Sequence, residues 1–185
     1  MPSSETNEPS YFSIGTVGTP HLSPEKPALG GIKLGMILSP QTLSSLKVFD
    51  PDKEKLFHVV EPFHSRTLIR NLTFGLGPAG YDIRCRQRRK LSPGDFVLVS
   101  SIEYFRMPNH VQGEVKDKSS WARRGLFVQN TVIEPGWQGY LTLELTAHLD
   151  VIVEEGDPIA QVVFQLLDKP SSHPYCGRYQ RSEER

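Results

Sequence analysis

The run Lys118-Ser119-Ser120-Trp121-Ala122-Arg123 sets two adjacent hydroxyls between two cations. At the start of a helix-compatible stretch, such a turn offers hydroxyls, backbone N–H groups and positive charge together, the combination that holds a phosphate chain. Downstream, Tyr140 to Leu145 carries one carboxylate, Glu144, which could ferry protons. Each feature also has a plain structural reading. Ser119 or Ser120 serves equally as a helix N-cap with solvated charges around it, and a lone Glu on a strand is usually exposed or ion-paired. Spacing alone does not choose between these readings.

Several elements must position these groups. Period-2 alternation through Tyr140 to Thr146 puts Leu141, Leu143 and Leu145 on one face and Tyr140, Thr142 and Glu144 on the other, so Glu144 leaves the apolar side. In Ile159 to Leu167, Gln161 and Gln165 fall opposite Phe164. Further β-type runs are expected over Phe96 to Ser101, at Glu114 and Val115, over Leu126 to Asn130 and over Val151 to Val153. Turn signals at Ser92-Pro93-Gly94-Asp95, Glu134-Pro135-Gly136 and Glu155-Gly156-Asp157-Pro158 separate them at intervals typical of an all-β barrel or sandwich. Ile37 to Leu46 is the one early helix, with Ser39 as N-cap and Pro40 at the first helical position. Residues 1–30, rich in Pro, Ser, Thr, Gly and Glu, are expected to form a flexible arm, residues 31–170 the β domain, and residues 171–185 a separate tail.

Composition narrows the partners. With 21 basic and 21 acidic residues the net charge is zero, so the overall field supports neither nucleic acid nor an anionic membrane as a partner, and affinity for phosphate must be local. Cys85 and Cys176 form no C-x-x-C and no disulfide framework, which fits a reducing cytoplasm. Neither a signal segment nor a membrane span is expected. The six histidines are scattered, and neither H-x-E nor P-C-x-x-C, the ligand sets of the zinc deaminases, occurs.

The stretch KSSWARRGLFVQNTVIEPGWQGYLTLEL resembles the central motif of the dCTP deaminases, in their short bacterial-type form. These make up the homotrimeric branch of the dUTPase superfamily, in which a K/R-S-S/T-x-A-R block precedes x-E-P-x-W-x-G-Y-x-T-L-E. Gly80-Tyr81-Asp82-Ile83-Arg84-Cys85, the segments Leu91 to Phe96 and Glu103 to Pro108, and Gly156 to Phe164 follow in family order, so the resemblance spans roughly residues 72 to 180. It implies a mainly β fold, a distorted dUTPase-type barrel with a few short helices, assembled as a homotrimer with the nucleotide at a subunit boundary. The implied reaction is hydrolysis of dCTP to dUTP and ammonia, without zinc and with Mg²⁺ arriving on the triphosphate; dTTP is an implied inhibitor.

By the same resemblance Glu144 is general base and proton shuttle, while Ser119 and Arg123 hold the water and polarise the reacting centre. Lys118, Ser120, Trp121, Ala122, Thr142, Leu143, Gln161, Tyr175 and Arg178 are implied substrate contacts. One of Asn130, Thr131 and Val132 holds the water through its carbonyl. Glu134 and Trp137 read either as bounding the sugar or as a turn carboxylate beside a packing aromatic. The Gly80 to Arg84 block reads as scaffold, with Asp82 bonding within the trimer, and Arg124 as an exposed charge.

This chain departs from the family after Gln180, where Arg181-Ser182 stands in place of Gly-Gln, and in two shorter loops, after Cys85 and after Glu144. Two rival functions stay open: a dUTP diphosphatase, alone or as a second dUMP-forming activity, and a catalytically silent nucleotide-sensing trimer.

Overall fold

The structure, a computed structural model, describes residues 36–129 and 131–181. The expected N-terminal arm, Asn130 and Ser182 lie outside the described residues. The chain runs β1 (Met36–Ile37), α1 (Pro40–Ser45), β2 (Lys47–Asp50), β3 (Lys55–His58), β4 (Val60–Glu61), β5 (Thr67–Ile69), β6 (Leu72–Leu76), β7 (Tyr81–Arg84) and β8 (Arg89–Leu91). It continues through β9 (Phe96–Arg106), β10 (Val111–Asp117), α2 (Ser119–Ala122), β11 (Leu126–Val128), β12 (Val132–Ile133), β13 (Gln138–Ala147), β14 (Val151–Val153) and β15 (Pro158–Leu166). The mainly β class expected from the sequence is what forms. Among the described residues no helix is long and apolar enough to cross a membrane.

Helix α1 starts where its cap chemistry predicts: the Ser39 hydroxyl accepts from the Thr42 N–H, and Pro40 takes the position whose N–H would be orphaned anyway.

Two sheets carry the site. The larger has order β12-β10-β15-β7-β6-β5, with β1 pairing the free end of β15; the smaller has order β11-β13-β9-β4. The alternation expected for β13 is observed: Leu141, Leu143 and Leu145 are 7%, 2% and 0% exposed, while Tyr140, Thr142 and Glu144 reach solvent. Each inward leucine contributes about 2 kcal/mol of transfer free energy, enough to fix which face Glu144 occupies. On β15, where the register shifts between Pro158 and Ala160, Ile159 is buried, while Gln161, Val163 and Gln165 share the half-buried face opposite Phe164.

The sheets are tied where β7 meets β9. Glu103, fully buried, accepts hydrogen bonds from the Arg84 backbone N–H at 2.8 Å and from Arg84 Nε at 2.7 Å. Burial pushes the Glu103 carboxyl up from its ordinary range, against the pull of Arg84. Cys85 bridges to Ser101 next door, its thiol pushed up to about 11 by burial.

Candidate active-site cleft

A cleft of about 420 Å³ opens on the polar face of β13, lined by Thr142 and Glu144 of that strand, by Leu98 of β9, by Thr131 to Glu134, and by Trp137, Tyr140, Tyr175 and Tyr179. Strand register explains the neighbours. Leu98 lies directly across the ladder from Glu144, and Thr142 is one step along the same face. The cleft thus pairs one carboxylate with aromatic and aliphatic walls, which suits a planar, partly polar ring.

The tail closes one side. Strand β15 ends at Leu166, and residues 171–181 wrap the turn between β12 and β13. Tyr175 N–H donates to the Pro135 carbonyl at 2.8 Å, Trp137 Nε1 donates to the Tyr179 carbonyl at 2.8 Å, and Arg181 N–H donates to the Gln138 carbonyl at 2.8 Å. Gln180 clamps the turn from both ends, its Nε2 donating to the Gly136 carbonyl and its Oε1 accepting from the Gln138 N–H, each at 2.9 Å. Gly136 must be glycine for this to happen: its φ is +84°, and a Cβ there would stand 2.6 Å from Pro174 Cβ. The tail therefore has hydrogen-bond partners on its own barrel.

Not every expected site residue meets at this cleft. Tyr175 and Thr142 line it with Glu144, and so do Glu134 and Trp137, which are also tied within their turn by the Trp137 N–H donating to the Glu134 carbonyl at 3.1 Å. Arg178 does not; it is exposed and lies over the Tyr179 ring at 5.8 Å. Leu143 and Trp121 are 2% and 1% exposed, so their side chains belong to the core, with Trp121 Nε1 donating to the Pro158 carbonyl at 2.8 Å.

Lys118, Ser119, Ser120, Ala122 and Arg123 gather at α2, away from the cleft's lining. There Ser119 and Arg123 are exposed, and Ser120 Oγ is buried with no hydrogen-bond partner. Arg124 is exposed, with its guanidinium 4.2 Å over Trp121. Gln161 lies near Lys118 rather than near Glu144, because both bond Asp82. Of the carbonyls expected to hold a water, that of Thr131 already accepts from the Val115 N–H at 3.0 Å.

Sequence reasoning missed Leu98 and Tyr179 as cleft walls, and Tyr140 too, although Tyr140 shares the period-2 face of Glu144. Leu98 becomes a neighbour only through the β9–β13 register, a non-local pairing that no local pattern announces.

A sequence model of a family described as dCTP deaminase-like matches residues 82–167. The dCTP deaminase of Pyrococcus horikoshii is 31% identical over 141 residues, covering 67% of this chain and 85% of that protein. The dCTP deaminase of Gemmatimonas aurantiaca is 31% identical over 157 residues, covering 66% of this chain and 85% of that protein. Among solved structures, the 2'-deoxycytidine 5'-triphosphate deaminase of Agrobacterium tumefaciens matches with a TM-score of 0.51 and 17% identity, over 72% of this chain and 49% of that chain. At that identity the likeness speaks for the fold alone.

Proposed function

Because the chain belongs to the dCTP deaminase family, we propose that it removes the 4-amino group of dCTP by hydrolysis, giving dUTP and ammonia. The observation that carries the reading is Glu144: one carboxylate on the polar face of β13, inside a ring-sized cleft, at the position the family motif gives its catalytic glutamate.

Glu144 takes a proton from the attacking water, delivers it to N3 of the base, and assists departure of ammonia as C4 collapses to a carbonyl. Trp137, Tyr140 and Tyr175 wall the nucleotide, and Glu134 lies at the sugar side. The chain lacks the zinc ligand sets with which other deaminases activate the attacking water, so in this reading Glu144 activates the water as its general base. Among the described residues no group of three His, Cys, Asp or Glu is placed to hold an ion, and Mg²⁺ enters as part of the substrate on the triphosphate.

The α2 group, with Ser119, Ser120 and Arg123, supplies the phosphate and water contacts. These residues do not line the Glu144 cleft of their own chain, which supports a site shared between subunits of a trimer in which α2 of one chain meets the cleft of the next.

Incubating the protein separately with dCTP and dUTP and resolving the products by chromatography tests the activity. The expected result is dUTP from dCTP, unchanged by a zinc chelator of low Mg²⁺ affinity, abolished by EDTA and restored by Mg²⁺ alone. Formation of dUMP from dUTP would favour the diphosphatase reading, no product from either would favour the sensing trimer, and restoration that needed Zn²⁺ would overturn the zinc-free mechanism.

A further inference from the structure

The Gly80 to Arg84 block reads as scaffold from the sequence, and most of it is: the buried Tyr81 hydroxyl, for instance, holds the loop before β5 by accepting from the His64 N–H at 2.8 Å and donating to the Pro62 carbonyl at 3.0 Å. Asp82 differs. It is 5% exposed, and its carboxylate collects three side-chain donors from three other segments: Lys118 Nζ at the entry to α2, Thr73 Oγ1 of β6 at 3.1 Å and Gln161 Nε2 of β15 at 3.1 Å. Resting on the functional reading above, we propose that Asp82 is a positioning residue that aims Lys118 and Gln161 at the nucleotide.

Strand register builds the arrangement. Lys116, Gln161, Asp82 and Gly75 form one row across β10, β15, β7 and β6, and Lys118 follows two residues beyond Lys116. Glycine makes room for it. A Cβ on Gly80 would stand 3.1 Å from Gln161 Cγ and 2.7 Å from the Val162 carbonyl.

The chemistry then fixes what each partner presents. An ionised carboxylate only accepts, so Gln161 must turn its amide nitrogen to Asp82 and leave its carbonyl oxygen as the outward acceptor. Lys118 has three N–H bonds; Asp82 and Thr73 Oγ1, the latter at 3.1 Å, take two, which leaves one donor in a fixed direction on a side chain that is 12% exposed. The fixed donor thereby sits on the residue two before Ser120, whose buried Oγ has no partner. A substrate with phosphate oxygens at one end and hydroxyl or amino donors at the other uses both groups.

The test compares Asp82→Asn, Lys118→Met and the double variant, with dCTP as probe. Steady-state kinetics give the KM and kcat split. Calorimetric dCTP affinity in a Glu144→Gln background gives a readout independent of turnover. Each single variant is expected to weaken dCTP binding at least roughly tenfold, the scale of one charge-assisted hydrogen bond, with most of the change in KM. The double variant is expected to be no worse than Asp82→Asn alone, because loss of the carboxylate already releases both Lys118 and Gln161.

Multiplying losses in the double variant, or losses in melting temperature with dCTP affinity unchanged, would overturn the proposal. Should Asp82→Asn fail to fold, Thr73→Val removes only the hydroxyl shared by the pair; it is expected to weaken dCTP binding a few-fold, and unchanged binding would contradict the proposal. If the Glu144→Gln parent itself shows no affinity for dCTP, the functional reading fails instead.

Discussion

Glu144 was legible as a candidate from a single strand, because alternation in YLTLEL by itself assigns it a face, and the folded chain keeps that face. Lys118 and Gln161 were legible as polar groups but not as neighbours: Asp82 joins them across strands far apart in sequence, and nothing local signals that meeting. Trp121 and Leu143 show the opposite limit. They sit inside motif blocks beside reactive residues, yet burial turns their side chains away from any ligand. Glu144→Gln is expected to keep fold and nucleotide binding while lowering dCTP turnover at least roughly 10²-fold, since an amide preserves volume and hydrogen bonds but cannot carry the proton. Steady-state assays alongside circular dichroism check this, and near-normal turnover would take Glu144 out of the mechanism.

Among the elements, those built from strong alternation or cap chemistry were readable. Helix α1 begins at the expected Ser39-Pro40 pair, and β13, β14 and β15 fall within two residues of their expected bounds. The strands between Lys47 and Leu91 were not readable. Several are two to four residues long, and β7 is buried on both faces, so Tyr81, Asp82 and Ile83 show no alternation to detect.

The tail, expected as a separate segment, is bonded to the β12–β13 turn through Trp137, Gln138 and Gln180. Truncation after Lys169 removes Tyr175 and Tyr179 from the cleft wall and frees the Trp137 indole N–H. The expected outcome is a KM for dCTP raised at least roughly tenfold, a lower kcat as water enters the site, and a melting temperature lowered by only a few degrees, the effect of about 1 kcal/mol in a domain of this size. A truncated protein that unfolds would make the tail a structural element and withdraw Tyr175 as a substrate contact.

For the whole molecule, the zero net charge leaves phosphate recognition to local groups, and the structure keeps α2, with its exposed Arg123, out of the lining of the Glu144 cleft of the same chain. The trimer proposed above would bring the two together across a boundary and would cover the exposed apolar cleft residues Leu98 and Val132, at 45% and 49% exposure. Mixing inactive Ser119→Ala with inactive Glu144→Gln subunits under conditions of demonstrated exchange is therefore expected to restore part of the activity. Mixtures that stay inactive would place the site within one chain.

Whether water attacks the base, as proposed, or a phosphate is decided by running the reaction on dCTP in ¹⁸O-labelled water with Mg²⁺ and weighing the product by mass spectrometry. The expected product is dUTP carrying one heavy oxygen, located on C4 of the uracil ring after fragmentation, with one ammonia released per dUTP. Heavy oxygen in the phosphates with an unlabelled base would show phosphoanhydride hydrolysis instead and would contradict the deaminase reading.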